Sequence, residues 1–259
     1  MNILQTIILG IVEGITEFLP ISSTGHMIVA SRLMGIADSD FQKSFEIIIQ
    51  LGSILAVVVL YWKKLWQGGV DLWKKVAVAF LPTAVIGFLL YKVLKNYLLG
   101  NVAIVLWALF LGGILLVAFE MYYKRFGVHG NQELSYKQSF LTGLAQSLAI
   151  IPGVSRSGAT IVGGLAMGIS REAIVEFSFL LAIPTMAAAT GYDLLKSSHS
   201  FSGSQFGILV LGFIVSFIIA LLAIKWFIGY IKNHSFLWFG VYRIVIAIIF
   251  FVLIFQFKI

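Results

Sequence analysis

The chain has 259 residues, 60% of them hydrophobic and only 11% charged, with a mean hydropathy of +1.01; soluble domains carry about 25% charged residues. An integral membrane protein is therefore expected, and the lack of any cysteine excludes disulfides, thiol catalysis and thiolate metal sites. A net charge of +7 calls for no nucleic-acid partner, since basic cytoplasmic loops facing anionic headgroups account for such an excess.

In chain order, residues 2–36 are apolar but broken by LPISSTG. Proline and hydroxyl residues end one helix and start another. Neither flank is long enough to cross ~30 Å of hydrocarbon, so a re-entrant helical hairpin is predicted. It is no ordinary signal peptide, because a basic n-region is missing and Glu13 and Glu17 interrupt the apolar run. Three spans follow at about 41–62, 76–95 and 99–122. A second hairpin is predicted over 138–169, broken by IPGVSRSG, and then three more spans at about 173–195, 206–229 and 236–256. Runs of this length favour helices over the short alternating segments of a lipid-facing barrel.

The hairpins are related. A shift of 133 residues aligns Gln5, Gly10, Ser22, Gly25, Ile28, Val29, Met34, Gly35 and Ile36 with Gln138, Gly143, Ser155, Gly158, Ile161, Val162, Met167, Gly168 and Ile169, all identical. The chain thus reads as one membrane domain, 1–259, built from repeats at about 1–127 and 134–259, each a re-entrant hairpin plus three transmembrane helices. Three is odd. If each hairpin returns to its starting side, the second half is inserted upside down, giving an all-α, inverted-topology repeat with its site near the midplane. The basic residues agree. Lys63, Lys64, Lys74, Lys75, Lys124, Arg125, Lys137, Arg171, Lys225 and Lys232 fall on the inner segments, against Arg32, Lys43, Lys92, Lys95, Lys196 and Lys258 outside. Both termini and the mouth of the first hairpin are then expected to face outward.

Chemistry is concentrated at the two breaks. Glu13 and Glu17, four apart, share a helix face. A carboxylate at bilayer depth costs at least a few kcal/mol, so the pair needs a cation, a proton or an arginine between them, unless the hairpin lies near the surface and both are wet. Ser22, Ser23 and Thr24 open the second half-helix, where one hydroxyl is expected to be an ordinary N-cap. His26 follows Ser23 by three residues on the same face and can act as base, nucleophile or acid. In the second break, Arg156 sits among Ser155, Ser157 and Thr160 at a half-helix N-terminus. Amides, helix dipole and guanidinium fork together describe an anion site, most naturally for phosphate; an arginine snorkelling to water is the competing reading.

At the 133-residue offset Glu13 aligns with Gln146, Glu17 with Ile150, Ser23 with Arg156 and His26 with Ala159. That asymmetry favours an enzyme over a symmetric channel. Glu46 and Gln50 share a face at the start of a span and are placed at the border of the site. Arg243, in the last span, is expected to snorkel to the inner interface. His129, His199 and His234 are expected in solvated loops.

EGITEFLPISSTGH together with PGVSRSGAT, and FEIIIQLGSILAVVV after the first hairpin, resembles the bacitracin-resistance type of undecaprenyl-pyrophosphate phosphatase from end to end. The resemblance implies a bacterial inner-membrane enzyme that removes the terminal phosphate of undecaprenyl pyrophosphate, so that the lipid monophosphate is reused as a cell-wall carrier. It also implies a site of Glu13, Glu17, Ser23, His26 and Arg156 and a divalent cation; the charge bias and span parity would open that site to the outer (periplasmic) side. On that basis Glu13 and Glu17 are expected to hold Mg²⁺ or Ca²⁺, with Glu17 also a candidate base. Ser23 activated by His26 is the preferred nucleophile, with a phosphohistidine at His26 as the alternative. Ser22, Thr24, Ser155, Ser157 and Thr160 are expected to contact substrate alongside Arg156. The expected partners are the polyprenyl pyrophosphate and membrane lipid, with no nucleic acid; a homodimer is left open. The second functional reading is a transporter or flippase of lipid phosphates or small anions.

Overall fold

A computed structural model describes residues 1–37, 39–93, 98, 101–126, 130, 133–196 and 203–256, and all regular structure among them is helical. In chain order the helices are α1 (Ile3–Thr16), α2 (Ser23–Leu33), α3 (Asp40–Gln67), α4 (Gly69–Val93), α5 (Val102–Phe126), α6 (Tyr136–Ser147), α7 (Arg156–Ala166), α8 (Arg171–Lys196), α9 (Gly203–Ile231) and α10 (Leu237–Gln256). Six of them, α3, α4, α5, α8, α9 and α10, are long and apolar enough to cross a membrane. They match the predicted spans, apart from residues 94, 95, 99 and 100, which lie outside the described residues together with His129 and His199.

The short helices form two hairpins, α1–α2 and α6–α7. The 14 residues of α1 rise about 21 Å, short of a full crossing. Each hairpin begins with a capping box, Asn2 with Gln5 and Ser135 with Gln138. The same glutamines then close the hairpins: the Gln5 side-chain amide donates to the Met34 carbonyl, and that of Gln138 to the Met167 carbonyl, both at 3.1 Å. The start of each hairpin therefore lies beside its own end.

The two hairpins come in from opposite ends. Gln42, at the start of α3, donates to Ser31 at the end of α2 (2.9 Å). Lys64, about 33 Å further along α3 by helix rise, is paired with Glu176 near the start of α8. At that same end Arg171 grips Glu120 with two hydrogen bonds of 2.5 and 2.7 Å. The Phe236 amide also donates to Glu120 (3.1 Å), which ties the starts of α8 and α10 to the end of α5.

Each hairpin is packed on the middle long helix of the other half, α1 on α9 and α6 on α4. Small residues permit this close approach. A Cβ added at Gly14 would lie 2.8 Å from the Ser216 carbonyl oxygen, and one at Gly143 only 1.9 Å from that of Ala79. Beneath the hairpin tips lies the main core, where Phe18 stands edge-on to Phe179 with centroids 5.3 Å apart.

Candidate active site

The turns of the two hairpins meet at the centre of the molecule. Each contains a serine with left-handed backbone immediately before its second helix: Ser22 (φ 70°) and, 133 residues later, Ser155 (φ 78°). A non-glycine residue held there costs about 1–3 kcal/mol and persists only where its surroundings enforce it. Ser23 and Arg156 are the first residues of α2 and α7, and Arg156 reaches across to the first hairpin.

Glu17 is the junction. Its Oε1 accepts from an Arg156 guanidinium nitrogen at 2.9 Å, and its Oε2 accepts from the Ser23 hydroxyl at 2.6 Å. The carboxyl is buried and the arginine side chain is only 12% exposed. Arg156 also donates to the Ser178 carbonyl (3.0 Å) and lies 5.6 Å from the centroid of the Phe18 ring. Its Nε–H is buried without a protein acceptor, leaving one donor of the fork to spare. A second link between the hairpins runs from the Ser157 hydroxyl to the Leu19 carbonyl (2.7 Å).

The other expected residues divide. Ser22 is buried, and its carbonyl accepts from His26 Nδ1 at 2.8 Å. Thr24 is exposed. Ser155 caps α7 through the Gly158 amide (3.1 Å) and donates to Ser157 (3.2 Å). Thr160, fully buried, donates into the carbonyls of its own helix and accepts from the Ser178 hydroxyl at 2.6 Å. The hydroxyls of Ser157 and Thr160 are thus engaged by protein groups.

Ser23 and His26 are close in sequence but not joined. The serine turns to Glu17, while the His26 ring bonds the Ser22 carbonyl through Nδ1 and the Tyr242 hydroxyl through Nε2 (2.7 Å). Phe250 closes over the ring edge-on at 5.7 Å.

Glu13 is 1% exposed, and neither of its carboxylate oxygens accepts a hydrogen bond. Glu17, Glu46 and Arg156 all lie within electrostatic reach of it; Glu46 also accepts from Gln42 at 2.9 Å. Two bare, buried carboxylate oxygens fit a hard divalent cation. Among the described residues no group of three or more His, Cys, Asp or Glu side chains is placed to hold a metal, so carboxylates supply only part of a coordination shell. Glu17, the other expected ligand, already has one hydrogen bond on each oxygen. Gln146, the counterpart of Glu13 in the second hairpin, is instead bonded to Thr83 (2.9 Å) and Thr185 (3.1 Å).

Arg243 overturns the expectation of snorkelling. It is 2% exposed, and all five N–H donors reach backbone carbonyls: Leu109 (3.3 Å), Pro20 (3.3 Å), Val154 (3.0 Å), Ala108 (3.2 Å) and Gly153 (3.1 Å). These oxygens come from both hairpin turns and from α5, so this one side chain pins the two tips together. A Cβ added at Gly153, whose φ is 97°, would lie 2.4 Å from the Val105 carbonyl oxygen, so only glycine fits. His234, by contrast, is exposed as expected.

The sequence profile of the bacitracin resistance protein BacA family matches residues 6–249, both hairpins included. Relatives named undecaprenyl-diphosphatase cover nearly the whole chain. That of Aquifex aeolicus is 54% identical over 247 residues, 95% of this chain and 96% of its own. That of Wolinella succinogenes is 52% identical over 252 residues, 96% and 97% of the two chains. With six apolar crossing helices, two tip-to-tip hairpins and this match along almost its full length, the chain belongs to the bacitracin resistance protein BacA family.

Proposed function

We propose that the protein is an undecaprenyl-diphosphatase of the bacterial inner membrane, which hydrolyses the lipid pyrophosphate to undecaprenyl phosphate and inorganic phosphate. The observation that carries this reading is the hydrogen-bonded chain Ser23–Glu17–Arg156 across the two hairpin tips. It places a hydroxyl, a proton acceptor and a cation side by side, out of bulk water. Ser23 Oγ attacks the terminal phosphorus as its proton passes to Glu17 Oε2; the new O–P bond forms as the bond to the bridging oxygen breaks, and the lipid monophosphate leaves. Water then cleaves the phosphoserine: it gives up a proton to His26 Nε2 as Glu17 returns its proton to Ser23 Oγ, which restores Ser23 and releases phosphate. This geometry favours Glu17 over His26 as the partner of Ser23. The spare Nε–H of Arg156 is available to a phosphoryl oxygen, and the first-turn amides and dipoles of α2 and α7 favour the same charge.

A divalent cation, when bound, neutralises pyrophosphate charge and polarises the terminal phosphoryl group. Glu13, with two free oxygens, is the residue that would hold it. Purified, detergent-solubilised protein is expected to release phosphate from undecaprenyl pyrophosphate and to lose that activity in excess chelator. Glu13→Gln should recover partly in excess Mg²⁺ or Ca²⁺. Glu17→Gln, which lacks the proton acceptor, should stay at least ~100-fold down at any metal concentration. Full turnover in chelator would remove the cation from the scheme.

The basic-residue bias supports an orientation with both termini and the mouth of the first hairpin on the periplasmic side. A reporter at the C-terminus should then read as periplasmic; a strong cytoplasmic signal would reverse the orientation.

A further inference from the structure

α10 carries no part of the two hairpin motifs, yet it contributes the partner of the histidine. The Ser22 carbonyl can only accept, so His26 Nδ1 carries a proton. In the neutral ring Nε2 is then a bare lone pair, and the Tyr242 hydroxyl, 2.7 Å away, donates to it. The two rings lie nearly parallel, 5° apart, and Phe250 stands edge-on at 78°. His26 is 8% exposed whereas Tyr242 is 41% exposed, so the tyrosine is the layer between the histidine and the outside. The ring therefore has no freedom to rotate or change tautomer without breaking a bond at one nitrogen or the other.

We propose that Tyr242 is a positioning residue of the phosphatase site, fixing the ring and the proton of His26 so that Nε2 is its one basic nitrogen. This rests on the phosphatase reading. A hydroxyl suits the task because it changes roles: it donates while Nε2 is bare and accepts once Nε2 is protonated, holding the ring in place through a proton cycle. Phenylalanine would retain the stacking and the cover but offer Nε2 nothing.

The test is Tyr242→Phe in the full-length protein in detergent, with undecaprenyl pyrophosphate as substrate and ¹⁵N spectra of the histidine side chains. Wild type should show His26 with Nδ1 protonated and Nε2 in the hydrogen-bonded acceptor range; an Nε2–H tautomer overturns the proposal without any variant. In Tyr242→Phe, Nε2 should move to the value of a bare acceptor and kcat should fall about tenfold, the lower end for loss of an orienting bond to a working histidine. KM should stay within about threefold. Unchanged kcat, or a fall in kcat with the His26 signals in place, overturns it. If wild type releases no phosphate, the phosphatase reading fails, and the spectra still decide whether Tyr242 holds His26.

Discussion

Arg156→Lys should lose about 100-fold in turnover although the charge is kept. The guanidinium donates to Glu17 and to the Ser178 carbonyl and keeps a spare Nε–H, which the proposed reaction gives to a phosphoryl oxygen. An ammonium on a flexible stem offers three donors from one point and cannot hold that planar fork. Losing two charge-assisted hydrogen bonds, at about 1.5 kcal/mol or more each, is about 3 kcal/mol, or two powers of ten in rate. Phosphate release under saturating substrate measures it. A lysine variant within threefold of wild type would mean that the site needs only a positive charge, or that Arg156 is peripheral.

Arg243→Met is expected to destabilise the whole protein, not merely slow it. The carbonyls of Pro20, Gly153 and Val154 belong to turns, and Arg243 supplies their buried donor. Leaving each without a partner costs about 1–3 kcal/mol, so a loss of about 3 kcal/mol or more is expected. Arg243→Lys should recover little of it, because one ammonium cannot serve five acceptors drawn from three segments. Thermal unfolding in detergent is the measurement, read beside phosphate release. An Arg243→Met protein with the wild-type midpoint would show that the tips hold together without the pin.

The contrast between these two arginines explains what was legible in the sequence. Arg156 stands in a dense polar motif between two short apolar flanks, and such a motif has few physical readings other than an anion site. Run length alone identified the six spans, because ~30 Å of hydrocarbon demands about 20 residues. Arg243 is a single charge in an otherwise apolar helix, where snorkelling is the ordinary expectation. Its acceptors lie 89 to 223 residues away in sequence and come together only on folding. Tyr242 gave no signal at all. The Ser23–His26 spacing puts both residues on one face of a helix, but helix spacing brings Cβ atoms together without fixing which way the side chains turn. Glu17 from the preceding helix drew the serine one way, and Tyr242 from α10 drew the histidine the other.

The packing of α1 against α9 also has a consequence for how the protein is made. α1 ends at Thr16 and α9 begins at Gly203, so the first hairpin leaves the ribosome long before its neighbour does. At 5–20 residues per second, roughly 10–40 s pass before α9 can follow. For most of that interval Glu17 lacks the Arg156 it binds, and α1, which carries Glu13, lacks the helix it packs on. A nascent hairpin bearing two uncompensated carboxylates is a poor candidate for spontaneous burial in lipid. It has to wait at the aqueous interface, or in the shelter of the insertion machinery, until the second half of the chain arrives to draw it in.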